Sequence, residues 1–141
     1  MKTIIAAIVV FALLQFLFIE RLDAQGLTQL YNSKVVSAQR YLRPLDFKAP
    51  AWIKKILPKH CGVVVTLANG QRWLVQKGDG YGKASQTVVV STSQMSSVWS
   101  AKESKRIQSS TVGDYVRVGG KNYDTLTDNC IHACNRMMRL N

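Results

Sequence analysis

The sequence predicts an α+β protein in which an antiparallel sheet packs against helices. Three observations carry that prediction. A Val-rich run from Gly62 to Leu67 is answered across Asn69-Gly70 by Arg72 to Lys77, and Asn-Gly is the strongest short signal for a tight hairpin turn. A second β-branched run spans Thr87 to Ser91, and apolar residues recur at helical spacing near Leu27 to Leu42 and again after Asn129.

The N-terminus is of a different character. Met1-Lys2-Thr3 supplies a short positive start, and Ile4 to Ile19 is apolar at every position except Gln15. The run falls slightly short of the roughly 20 residues a membrane span needs, and Glu20, Arg21 and Asp23 close it at once. Residues 1–24 therefore read as a signal peptide cut after Ala24, which makes the protein secreted and extracellular. An uncleaved anchor is the alternative, because Leu22 is larger than the residue usual two places before a cut. Lys2 and Arg21 leave together with Glu20 and Asp23, so the exported chain keeps the whole net charge of +11. What remains is enough for one hydrophobic core but not two, so an N-terminal helical segment, 25–57, and an α+β core, 58–141, are expected to form one domain. The charge serves either solubility or attraction to a polyanion such as a bacterial envelope, an acidic lipid surface or a glycan. Nucleic acid is disfavoured as a partner because an exported protein meets little of it.

Taken in order, Leu27, Leu30, Tyr31, Val35, Ala38, Tyr41 and Leu42 step by threes and fours and predict an amphipathic helix ending at Arg43-Pro44. Pro44, Pro50 and Pro58 mark a connecting loop with a turn or two of helix at Ala51 to Leu57. There Trp52, Ile53 and Ile56, beside Lys54, Lys55 and Lys59, either cover a core or dock on an anionic membrane. The Gly-rich stretch Gly78 to Lys83 lacks the Lys-Ser/Thr ending of a phosphate loop and the spacing of a dinucleotide fingerprint, so it reads as a turn. With no metal-ligand cluster either, no cofactor is expected. Met95, Val98 and Trp99 start a helical pattern that runs into Lys102 to Arg106, while Tyr115, Val116 and Val118 read as a strand stopped by Gly119-Gly120.

The chemistry concentrates at the C-terminus. Thr127 or Asp128 can cap a helix whose apolar positions are Ile131, Ala133, Cys134, Met137, Met138 and Leu140. Cys130 falls in its first turn, where unpaired backbone N–H groups and the helix dipole favour a thiolate. His132 lies two residues on, about 200° around the helix, and so is a poor partner. His60 precedes the first hairpin strand, and a sheet packed on this helix can bring it to Cys130, with Gln76 on the facing strand accepting the other ring N–H. Three cysteines leave one unpaired in an oxidising compartment. Cys130 and Cys134 are awkwardly placed to bridge each other along a helix. Cys61 can bond either, and its choice decides whether Cys130 is free. A purely structural cysteine is the plain alternative.

These residues carry a resemblance. His60-Cys61-Gly62-Val63-Val64-Val65, the hairpin, and then Tyr123, Leu126, Asn129-Cys130 and His132 resemble the circularly permuted papain-like thiol enzymes, namely the lecithin retinol acyltransferase-like group, the PPPDE isopeptidases and the wider NlpC-like superfamily. The likeness spans roughly residues 58 to 140. It implies a permuted papain-like fold with Cys130 as nucleophile, His60 as general base and Gln76 as the orienting third group, the oxyanion resting on N–H groups at the helix start. Gln76 stands where many acyltransferase-like members carry a second histidine. The function so implied is a secreted cationic thiol hydrolase or acyltransferase acting through an acyl-Cys130 intermediate on an anionic envelope peptide amide or lipid ester. The competing expectation is a non-catalytic cationic effector, antimicrobial or venom-like, that binds anionic membranes or envelopes.

Overall fold

The computed structural model describes residues 25–44, 50–52 and 59–141. The expected signal peptide and the loop residues Ile53, Lys54, Lys55 and Ile56 lie outside the described residues. Ala51 and Trp52 are helical and exposed. The chain divides between Asn32 and Ser33. Residues 25–32 form a short helix in the first unit. The second unit carries strands β1 (Val35–Pro44), β2 (Lys59–Leu67), β3 (Arg72–Lys77), β4 (Thr87–Ser91) and β5 (Ser100–Arg106), with helices α1 (Val112–Gly119) and α2 (Cys130–Met137). The strands form one antiparallel sheet in the order β4-β3-β2-β1-β5. The α+β class and the central hairpin match the expectation. Val63 pairs with Val75 and Val64 with Leu74, and Gly70, at φ 86°, supplies the left-handed turn between the strands.

Three elements differ from the sequence reading, each for a physical reason. The helix expected over 27–43 stops before Ser33, and Val35–Pro44 is a strand held between β2 and β5. Val35 and Ala38 are three apart yet both are buried, because a bulge between Val35 and Ser37 shifts the parity of the strand and puts both on one face, opposite Leu67 and Val65. The bulge imitates helical spacing. The pattern at Met95 to Arg106 is not helical: a single 3-10 turn at Thr92–Gln94 precedes β5, an exposed edge strand whose backbone pairs with β1. Tyr115, Val116 and Val118, expected in a strand stopped by Gly119-Gly120, lie instead in a helix, Val112–Gly119. Thr111 accepts from the Asp114 N–H, and the Asp114 carboxylate accepts from the Thr111 N–H at 2.9 Å. That capping box, with Val112, Tyr115 and Gly119 buried along one face, outweighs the β-propensity of Tyr115, Val116 and Val118.

Strand alternation sorts the side chains. Cys61, Val63, Val65, Val75, Lys77 and Thr87 share the face on which α1 and α2 pack, shown by the bond from Thr87 Oγ1 to the Gly120 carbonyl at 2.8 Å and by the Cys61–Cys134 disulfide. The core lies there, among Val63, Val65, Val75, Val112, Tyr115, Ala133 and Met137. His60, Val64, Leu74 and Gln76 share the opposite face. Among the described residues no helix is long and apolar enough to cross a membrane.

Tyr115 is fully buried, and among the described residues its hydroxyl finds no hydrogen-bond partner. An unpaired buried hydroxyl costs about 1–3 kcal/mol, so Tyr115→Phe is expected to leave stability unchanged or raise it by about 1 kcal/mol. Urea denaturation of both proteins reads the difference, and a clear loss of stability would reveal a partner for the hydroxyl.

Candidate active site around Cys130

The cap of α2 is neither Thr127 nor Asp128 but Asn129. Its side-chain oxygen accepts from Ile131 N–H at 2.9 Å and His132 N–H at 3.2 Å, and its amide donates to the Thr125 carbonyl at 3.0 Å. His132 Nδ1 in turn accepts from the Asn129 N–H at 3.2 Å. The Asn-Cys-x-His block is thus a reciprocal cap, with histidine where Glu or Gln usually stands. It fixes Cys130 as the first residue of the helix.

The loop before the cap is tied down twice. Asp124 and Asp128 exchange backbone hydrogen bonds at 3.0 Å, and the Asp124 carboxylate accepts from Leu126 and Thr127 N–H groups. Asp128 Oδ1 meets Lys77 Nζ at 2.7 Å and Arg136 at 2.6 Å, and Arg136 also donates to the Val118 and Gly119 carbonyls. Lys77, on β3, is wholly buried. Burial pushes the Asp128 carboxyl up, but the hydrogen bonds from Lys77 and Arg136 outweigh it and hold the group below the usual carboxylate range. One carboxylate joins the sheet, the end of α1 and the start of α2. Sequence reasoning missed this cluster, since a lysine ending a strand gives no sign of burial.

Cys61 pairs with Cys134, closing a loop of 73 residues, and Cys130 is the free cysteine. Of the bridges open to Cys61, the one formed spares the candidate nucleophile. Cys130 is only 2% exposed. Its thiol lies 3.9 Å from the Lys59 carbonyl, and the Cys61 N–H also acts on the sulfur. These two contacts flank His60 along the backbone. The sulfur thus meets β2 just beyond the Gly62↔Gln76 pair, beside the last residues of β3. Burial pushes the Cys130 thiol above its ordinary range, against the opposing pull of the Cys61, Cys130 and Ile131 N–H groups and of the Arg43 charge. The expected thiolate is therefore corrected. Desolvation wins over the helix terminus, and the sulfur rests as a neutral thiol.

His60 and Gln76 come together as expected. Both point to the face away from α2, and His60 Nε2 lies 2.9 Å from Gln76 Oε1. An amide oxygen only accepts, so Nε2 carries the proton and Nδ1 is the basic nitrogen of the neutral ring. His60 is 4% exposed, enclosed edge-on by Tyr81 and Trp99 with ring centroids 5.9 and 5.5 Å away. Tyr81 reaches this position over Gly78, where any Cβ would overlap its ring at 2.3 to 2.5 Å. Arg43 completes the wall, its guanidinium carbon 5.3 Å from the centre of the Trp99 ring.

Tyr123 stands beside the sulfur. Burial, then the charge that Cys130 would carry, pushes its phenol up to about 12, against a small opposing pull from the Cys130 N–H. Two of the helix-start N–H groups expected to hold an oxyanion, those of Ile131 and His132, are already engaged by Asn129. Tyr81, Trp99 and Arg43 escaped the sequence reading because only the fold brings them to His60. Among the described residues no group of three or more His, Cys, Asp or Glu side chains forms a metal cluster. The chain matches no protein-family profile, no curated protein and no solved structure.

Two stability predictions follow from the anchors. Replacing Cys61 and Cys134 by Ala together should lower unfolding free energy by about 4 kcal/mol, the loop-entropy value for a closure of this length. Denaturant titration under non-reducing conditions measures it. Asp128→Ala should cost about 2 kcal/mol, less than a fully buried pair because the carboxylate is 37% exposed, and Lys77→Met should cost less, since Arg136 still holds Asp128. Because the folded pKa of Asp128 lies below its unfolded value near 3.9, its contribution is complete above that pH and lost as pH falls through the folded value. An acid titration of stability in wild type and Asp128→Ala should therefore converge at low pH.

Proposed function

We propose that the protein is a secreted, papain-like thiol enzyme that transfers an acyl group from an amide or ester through a thioester on Cys130. The observation that carries this reading is the unbridged sulfur at the first residue of α2, touching the backbone on both sides of a histidine that is oriented by Gln76. The leader-like residues 1–24 and the disulfide support export.

Because the resting sulfur is a neutral thiol, attack requires a base at the moment of reaction. The His60 ring lies on the face of β2 away from α2, so its Nδ1 takes the proton through one intervening water as the sulfur adds to the substrate carbonyl, and Gln76 keeps the ring in the tautomer that allows it. The carbonyl oxygen accepts from the Cys130 N–H, and the nearby Tyr123 phenol, protonated at neutral pH, donates a second hydrogen bond to it. Imidazolium then gives its proton to the leaving amine or alcohol as the carbon–heteroatom bond breaks. Water or another acceptor attacks the thioester, with His60 again as base, and frees Cys130. Gln76 lends no negative charge to the imidazolium, so turnover is slower than with a carboxylate in that place.

A second reading rests on the burial of the same sulfur: a cationic effector that uses its +11 charge to bind envelopes and keeps Cys130 as packing. Such activity survives Cys130→Ser and falls steeply with salt.

The test is the rate at which Cys130 takes up an activated acyl ester, followed by intact mass. Adduct should form on Cys130, vanish in Cys130→Ser, slow by about 10²–10⁴-fold in His60→Ala, and slow less in Gln76→Ala. If the sulfur reacts no faster than free cysteine and His60→Ala changes nothing, the enzyme reading fails.

A further inference from the structure

β5 forms one border of the sheet, and every residue in it except Lys105 is exposed. Its inner side is committed to β1. The Ile107 N–H donates to the Val36 carbonyl at 3.0 Å and Lys105 stands opposite Ala38, so Ile107 and Lys105 turn their backbone groups inward. By alternation, the N–H and C=O groups of Ser104 and Arg106 point outward, and among the described residues nothing engages them. We propose that this border docks an acidic peptide segment in extended conformation, which joins the sheet as a sixth strand. The proposal is independent of the Cys130 reading.

Charge sets the class of partner. β5 carries Lys102, Lys105 and Arg106 against a single acid, Glu103, and Arg40 of β1 already holds that carboxylate in an ion pair. Among the described residues neither Lys102 nor Arg106 forms an ion pair. Lys105 lies on the helix side of the sheet with Ala38 and spends one of its three donors on the Met138 carbonyl at 3.3 Å, while Arg106 lies on the opposite side. Carboxylates on either face of an added strand therefore meet a basic group. The far border, β4, has no charged residue and offers an acidic segment no such attraction. At β5 main-chain bonds supply the ladder and the basic residues select what joins it, the division expected of strand addition. A sulfated glycan or an anionic bilayer would use the charge alone and leave the outward amides exchanging with water.

The probe is N-acetyl-Thr-Glu-Val-Glu-Val-Glu-Thr amide, titrated into the purified chain and followed by NMR and hydrogen exchange at individual backbone amides. Ser104 and Arg106 should gain protection, and Val89 on β4 should not. The peptide should bind about tenfold tighter than its all-glutamine counterpart at low salt, a preference that falls toward unity near 1 M salt, about where screening reaches contact distance. Lys102→Gln with Arg106→Gln should remove most of the preference. Lys83→Gln with Lys121→Gln, an equal change of net charge at exposed residues flanking β4, should keep it. A further comparison uses the unaltered chain: the acidic peptide N-methylated at two adjacent central residues keeps its charge, loses a ladder donor on both edges, and should bind about fivefold more weakly or worse. Equal binding of the methylated peptide, protection at Val89 instead, displacement of the peptide from Ser104 and Arg106 by a lower concentration of sulfated oligosaccharide, or a free chain already dimeric with those two amides protected overturns the proposal.

Discussion

The disulfide between Cys61 and Cys134 is the constraint on which the rest of the molecule turns. It fastens the second turn of α2 to the first residues of β2, across 73 positions of chain. With that point fixed, the first residue of the helix has little freedom, and its sulfur comes to rest against the backbone around His60. The ion cluster of Lys77, Asp128 and Arg136 constrains the same helix from the other end of its entry loop. Between them, a covalent bond and a buried charge leave one placement for Cys130.

That placement sets two electrostatic effects against each other. Helix N–H groups and the Arg43 charge favour negative sulfur, whereas burial against the β2 backbone removes water from it. Enclosure dominates, and the thiol stays protonated. Enclosure of this kind keeps a sulfur unreactive until something polar enters beside it. It also protects the thiol from casual oxidation, since thiolate character and solvent access both govern that chemistry.

How much of this the sequence discloses depends on whether the deciding interaction is local. The β2–β3 hairpin and β4 are legible because β-branched runs and Asn69-Gly70 settle them within a few residues. The pairing of His60 with Gln76 is legible for a similar reason, since two facing strand positions follow from spacing; the helix after Asp128 is legible too, but its cap is not, because Asn129 takes the place expected of Thr127 or Asp128. β1 is not legible, because its bulge mimics a helical period, and β5 is not, because only pairing with β1 makes a strand of Ser100–Arg106. The capping box at Thr111 and Asp114 was present in the sequence and outranks the β-propensity beside it. Arg43, Trp99 and Tyr81 leave no local trace, for their meaning comes from which strands the fold makes neighbours.

The outermost strand gives part of the positive charge a second purpose. β5 closes one border of the sheet, and its outward backbone groups would accept another strand from a neighbouring molecule. Lys102, Lys105 and Arg106 lie along that border, so a second copy approaching it meets like charge before it can form a ladder. Basic residues here act as a guard against polymerisation, whatever the remainder of the charge attracts.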